Sequence, residues 1–245
     1  MSNDAPPEVN EDGVVYEPHV GVTRQYWRDI ILGVNDGLVS VFLLVAGVVG
    51  GGLDSDQVLL TALAGAIAGA ISMAAGEYLA TQSQEEVFDR EIALERIHIQ
   101  HFRDGEVEQL YEFFRDMGIR DEDVEGVVEA FARDDETLLN AMKALEFGII
   151  DSERRSPYTA MVMSGALFLV GAMTSVVPFL FVSSTAFGLV LASILTAVGL
   201  FIVGVAKTRV TNTNPIKAGF ENLVIAGIGG VIAYIVGSLV EGSIT

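Results

Sequence analysis

The sequence predicts an all-α membrane protein with five transmembrane helices and a cytosolic domain of three to four helices inserted between the second and the third. Three observations lead there. First, the 245 residues are 51% hydrophobic yet carry a formal net charge of −19, with a mean hydropathy of +0.46. One compact soluble domain is rarely so apolar and so charged at once, so the two properties must be segregated along the chain. Second, they are segregated: 21 of the 33 Asp and Glu residues fall between Ser83 and Ser156. Third, five stretches reach the roughly 20 apolar residues that a helix needs to cross a bilayer core of ~30 Å.

Taken in order, Met1 to Pro18 is acidic and bears prolines, with neither a basic n-region nor an apolar h-region. Residues 1–25 therefore read as a disordered cytosolic tail and not as a signal peptide. The first span runs from about Asp29 to Gly51 and the second from about Val58 to Tyr78, within a membrane segment of residues 26–82. The second is rich in Ala and Gly but carries no charge before Glu77. No Pro or Gly interrupts Glu77 to Phe102, so this helix should continue out of the membrane into a domain covering 83–156. Gly105 restarts the chain, and Val107, Leu110, Tyr111 and Phe114 form an apolar stripe that ends at Gly118. A helix after Asp121 carries Val124, Val127, Val128 and Phe131, and a last one runs from about Asp135 to Phe147. Pro157 opens the third span, Tyr158 to Val182; Thr185–Ala206 and Ala218–Val240 complete the segment 157–245.

Basic residues stay on the cytoplasmic side of membrane proteins. With the N-terminus inside, all 14 Lys and Arg residues fall in the cytoplasm and none on the far side. The chain should therefore sit in the plasma membrane with its N-terminus cytosolic and its C-terminus outside.

Composition also excludes chemistry. There is no cysteine and there are only three histidines, His19, His98 and His101, so thiol catalysis, iron–sulfur clusters and histidine-built metal sites are ruled out. Neither an HExxH element nor a nucleotide-binding loop is present, and the spans hold no Ser/His or paired-Asp arrangement. The chain reads as a non-enzyme with no permanently bound cofactor and, at this charge, no nucleic-acid partner. Acidic surfaces are also general in proteins of salt-loving organisms, so net charge by itself says little about cation binding.

Ionisable residues inside a span are expensive and usually functional. Asp36 lies about two turns inside the first span, and at 100° per residue it shares a face with Gly33, Gly37, Ser40, Gly47 and Gly51. In the second span Ala62, Gly65, Ala66, Gly69, Met73, Gly76 and Glu77 share a face. Small-residue faces favour close helix contact. A carboxylate with a thioether suits a borderline transition metal better than Mg²⁺ or Ca²⁺, which makes Asp36, Met73 and Glu77 candidate pathway ligands. Plain packing of Met73 and snorkelling of Glu77 fit equally ordinary roles. Glu221 and Asn222, near the start of the fifth span, either line the same entrance or end a helix at the interface.

In the acidic segment Glu91, Glu95 and His98 lie at i, i+4 and i+7 on one helix face. Glu106, Glu108 and Glu112 crowd the next helix, and Met142 and Glu146 form an i, i+4 pair on the last. Such a set suits divalent iron or manganese; a solvated acidic face accounts for the spacing as well.

Two strings then carry a family resemblance. Gly33-Val34-Asn35-Asp36-Gly37 and Ile71-Ser72-Met73-Ala74-Ala75-Gly76-Glu77-Tyr78 resemble motifs of the vacuolar iron transporter family of eukaryotes and its prokaryotic relatives. The layout of five spans with an insert, and the Asn214-Pro215 loop before the fifth span, is similar too, from Trp27 to the end. The resemblance implies a homodimer that moves Fe²⁺, and often Mn²⁺, out of the cytosol in exchange for protons, with the pathway at the subunit interface. It implies Asp36 and Met73 as pathway ligands and Glu95, Glu106, Met142 and Glu146 as ligands of a cytosolic metal-binding domain. His98 and Gln109 stand where relatives have glutamates, and Gly65 where some have a pathway glutamate; His98 can still bind metal, whereas Gln109 is a poorer ligand. The competing expectation is a membrane-anchored metal sensor or scaffold without transport.

Overall fold

The computed structural model describes residues 24–149, 154–211 and 214–244. The acidic tail expected over residues 1–25 therefore lies outside the described residues, apart from Arg24 and Gln25, which open the first helix. Among the described residues there are eight helices. They are α1 (Arg24–Gly50), α2 (Ser55–His101), α3 (Arg103–Asp116), α4 (Asp121–Phe131), α5 (Asp135–Leu145), α6 (Pro157–Phe181), α7 (Thr185–Thr211) and α8 (Pro215–Ile244). Five of these (α1, α2, α6, α7 and α8) are long and apolar enough to cross a membrane. The chain is thus all-helical and an integral membrane protein.

The helix α2 has 47 residues, about 70 Å at 1.5 Å per residue. Only its first half, up to about Tyr78, is apolar; the rest continues unbroken because nothing between Glu77 and His101 stops a helix. Before it, Asp54 accepts hydrogen bonds from the Asp56 and Gln57 backbone N–H groups (3.1 and 2.9 Å), satisfying donors that the helix start leaves free.

The chain divides into two compact units, one of residues up to 67 together with 167 onward, the other of 68–166. In the first, α1, α7 and α8 pack on one another, and the closest approaches are made by glycines. A Cβ at Gly171 on α6 would lie 2.2 Å from the Val34 carbonyl oxygen of α1, and one at Gly237 on α8 would lie 1.9 Å from the Gly47 carbonyl oxygen. Gly37, Gly47 and Gly51 of the small-residue face of the first span thus lie against the backbone of α6 and α8, while Asp36 and Ser40 of that face are exposed. Gly171→Ala is expected to destabilise the protein by about 1–3 kcal/mol, since backbone has no rotamer with which to yield. Gly227→Ala, where an added methyl meets nothing within 4 Å, should be neutral; thermal unfolding in detergent compares the two. Between α6 and α7, the hydroxyls of Thr174 and Ser175 each lie 3.2 Å from that of Thr196, so these buried polar groups satisfy one another.

The second unit has its own apolar core of Ile99, Leu110, Phe114, Val124, Val128, Leu138, Leu139 and Met142. The apolar stripes expected for its helices supply these residues, with Val107, Tyr111 and Val127 packed at its edge. Phe131 is 38% exposed but its ring stays 5.6 Å from that of Phe114. The α3–α4 corner turns at Gly118, whose φ of +90° suits glycine. Arg103 pairs with Asp135 and donates to the Ala132 carbonyl (2.7 Å), tying the start of α3 to the α4–α5 corner. The α3 helix starts two residues before Gly105, because the chain needs only Phe102 to turn from α2 into α3.

Candidate metal centre

On α2, Glu95 precedes the core residue Ile99 by four positions; on α3, Glu106 precedes Leu110 by four. Helical periodicity therefore points both carboxylates to the buried side, and they are only 2% and 8% exposed. His98, one turn beyond Glu95, is half-buried beside them. Its Nδ1 lies 3.4 Å from Glu106 Oε1 and 3.8 Å from Glu95 Oε2. Ligand atoms of Glu95, His98 and Glu106 all fall within 4.8 Å of one another, a spacing that one cation can bridge.

The electrostatics fit an ion. Glu95 Oε1 and Glu106 Oε2 are buried and have no hydrogen-bond partner among the described residues, although buried polar oxygens are normally satisfied. Burial, reinforced by the charges of Glu106 and Glu146, pushes the Glu95 carboxyl up from 4.5 to about 7. Burial also raises Glu146, with Glu106 and Glu91 adding to the effect, while a hydrogen bond from the Gln109 amide and the nearby His98 act the other way. Imidazole with carboxylates is a donor set for Fe²⁺, Mn²⁺ or Zn²⁺ more than for Ca²⁺.

The other expected residues divide. Glu146 and Glu91 are close enough to act on one another's charge. Met142 is fully buried in the core with Ile99 and Leu110. Glu108 and Glu112 are exposed, because they sit about 200° and 240° around α3 from Glu106. Gln109, expected to be a poorer ligand than a glutamate, lies close enough to Glu146 for its amide to favour the ionised carboxylate. The Leu110/Phe114 stripe was the available signal separating Glu106 from its two acidic neighbours, since only Glu106 shares that face.

In the first unit, Asp36 is exposed on α1 and accepts a hydrogen bond from the Ser40 hydroxyl (2.8 Å). The neighbouring Asn35 Oδ1 is buried without a hydrogen-bond partner among the described residues. Glu221 is exposed in the second turn of α8. In the second unit Met73 and Glu77 are half-buried on α2, and Glu77 Oε1 lies 3.6 Å from Arg155 Nη1. That partner was invisible in the sequence, being 78 positions away.

The VIT family model matches residues 27–238. Among characterised proteins, the chain is 29% identical over 214 residues to vacuolar iron transporter 1 of Arabidopsis thaliana, covering 87% of this chain and 86% of that protein. It is 30% identical over 207 residues to vacuolar iron transporter 1 of Eucalyptus grandis, covering 84% and 83%. It is 26% identical over 234 residues to the vacuolar iron transporter of Toxoplasma gondii, covering 92% and 78%.

Proposed function

Because the chain belongs to the VIT family, whose pattern runs through residues 27–238, we propose that it transports a divalent transition metal, Fe²⁺ with Mn²⁺ as a second substrate, out of the cytosol in exchange for protons. The observation that carries this reading is the Glu95–His98–Glu106 cluster with its two unpartnered carboxylate oxygens, in one chain with five apolar helices. A soluble metal store needs no spans, and a simple anchor needs no carboxylate two turns inside one.

In this reading α3, α4 and α5 face the cytosol with the N-terminus, which keeps all 14 basic residues there. The acidic domain collects metal through Glu95, His98 and Glu106, assisted by Glu146 and Met142. Metal then passes to Glu77 and Met73 at the membrane boundary and on to Asp36. The exposed position of Asp36 on a single chain supports a homodimer in which a second copy covers it. Carboxylates alternating between metal-bound and protonated states provide proton exchange without further parts. In a cell without a vacuole the membrane is the plasma membrane.

The test is uptake into proteoliposomes of Fe²⁺, Mn²⁺, Co²⁺ and Zn²⁺, with and without a proton gradient. Fe²⁺ and Mn²⁺ should accumulate above protein-free vesicles and should respond to the gradient. Metal binding without accumulation would instead favour a membrane-anchored sensor, a reading supported by the confinement of the whole cluster to the 68–166 unit.

A further inference from the structure

The corner between α2 and α3 holds a residue that local structure does not favour. Phe102 stands at the N-cap of α3, with φ −134° and ψ 32°, and makes no side-chain cap. Ser, Thr, Asp or Asn is preferred there, and an apolar residue forgoes about 1 kcal/mol. Phe102 is also 66% exposed, so burial offsets little of that cost. What its ring does meet is His98, one turn earlier, with centroids 6.3 Å apart and planes at 79°, an edge-on arrangement that aromatic rings favour. The backbone of Phe102 joins the two ligand-bearing helices at the same corner. Its N–H donates to the His98 carbonyl (2.6 Å), and its carbonyl accepts from the Glu106 N–H (3.3 Å).

We propose that Phe102 is a positioning residue of the metal centre, its ring bracing the His98 imidazole in the orientation that presents nitrogen to the cation. This rests on the reading that Glu95, His98 and Glu106 bind metal. The His98 side chain is 38% exposed, against 2% for Glu95 and 10% for Glu106, so it is the least enclosed of the three. An unsupported imidazole at that position would lose rotamer freedom each time a cation bound. Metal-bound imidazoles are commonly oriented by a second partner, and a ring packed edge-on restricts the His98 side chain without competing for its nitrogen. Nδ1 lies on the carboxylate side, 3.4 Å from Glu106 Oε1 and 3.8 Å from Glu95 Oε2. Phe102 thereby keeps a nitrogen donor in a cluster whose other two members offer only oxygen. Imidazole suits Fe²⁺ and its neighbour Co²⁺, whereas oxygen donors alone suit Mn²⁺ and Mg²⁺, so the brace bears on which metal the centre prefers.

The test is titration of the full-length protein in detergent with Co²⁺ and with Mn²⁺, counting only the binding that Glu106→Gln removes. Phe102→Ser should raise the Co²⁺ dissociation constant about tenfold, the low end of the cost of losing a partner that orients a ligand. It should weaken Mn²⁺ less, and it should shift the visible spectrum of bound Co²⁺ towards that of His98→Ala. Phe102→Tyr, which keeps the ring, should match wild type. Added to His98→Ala, Phe102→Ser should have no further effect, because it acts only through the imidazole. The metal-free protein should unfold at no lower temperature, serine being the better cap. Unchanged Co²⁺ affinity overturns the proposal. So does equal weakening of both metals that persists in the His98→Ala background, which would assign Phe102 a general structural role. Wild type that binds no metal through Glu106 would reject the metal-centre reading itself, and this proposal with it. Phe102→Asn, also a favoured cap, replaces Phe102→Ser if the serine variant fails to fold.

Discussion

Asp36→Ala is expected to reduce Fe²⁺ uptake by proteoliposomes about a hundredfold, the upper end of the roughly 10–100-fold cost of losing even an outer-shell partner of a metal ligand, while leaving the protein as stable as wild type or more so. The two halves of that expectation have one origin. An aspartate inside a transmembrane helix disfavours insertion by up to about 2.5–3.5 kcal/mol, the value at the helix centre, and here the carboxylate is exposed on α1 with the Ser40 hydroxyl (2.8 Å) as its hydrogen-bond donor. One hydroxyl four residues away offsets little of that penalty, so nothing in the packing of the first unit depends on the charge. Alanine should therefore fold, insert and unfold at the same temperature or higher. Uptake equal to wild type would remove Asp36 from the pathway. Loss of uptake together with loss of folded protein would assign the residue a structural role instead.

Glu95→Gln and Glu106→Gln should each abolish metal binding by the 68–166 unit and yet stabilise the metal-free protein. The cluster buries two neighbouring carboxyls, each with an oxygen that has no hydrogen-bond partner among the described residues, an arrangement that favours a cation and strains the empty site. Added Mn²⁺ should raise the wild-type unfolding midpoint, by about 2.7 kcal/mol of stability at a hundred times the dissociation constant, and should leave either variant unmoved.

The pH dependence has a definite sign. Glu95 titrates at about 7 in the folded protein against 4.5 in its unperturbed state, so between those values the folded state holds the extra proton. The metal-free protein should then lose stability as pH rises from 4.5 to 7, by at most about 3 kcal/mol, and change little from this group above 7. Glu95→Gln should flatten that slope. A wild-type midpoint that rises with pH across this window would contradict the burial argument.

Much of this was legible in the sequence because it is one-dimensional. Span length and apolarity are properties of consecutive residues, so five membrane helices follow from hydropathy and bilayer thickness. The long run of α2 follows from the absence of Gly and Pro after Glu77. Helical periodicity places Glu95 and His98 together, and the core stripe at Leu110 and Phe114 implies which side of α3 is buried. Sequence alone also supports the orientation argument, since the distribution of the 14 basic residues is read without coordinates.

Tertiary structure decided what depends on bringing separate helices together. Glu106 becomes a partner of Glu95 and His98 only because the chain reverses at Phe102, which also leaves Glu108 and Glu112 in solvent. Whether Gln109 is a ligand or a support for Glu146 depends on the approach of α5. The glycines on the face shared with Asp36 contact α6 and α8, partners that no spacing rule names. The pairing of Arg155 with Glu77 was the least accessible. Local periodicity carries no information about residues 78 positions apart, and only the return of the chain into α6 places that charge beside α2. The acidic insert thus has a legible composition, but its separation into a buried three-residue cluster and a solvated surface is a consequence of packing.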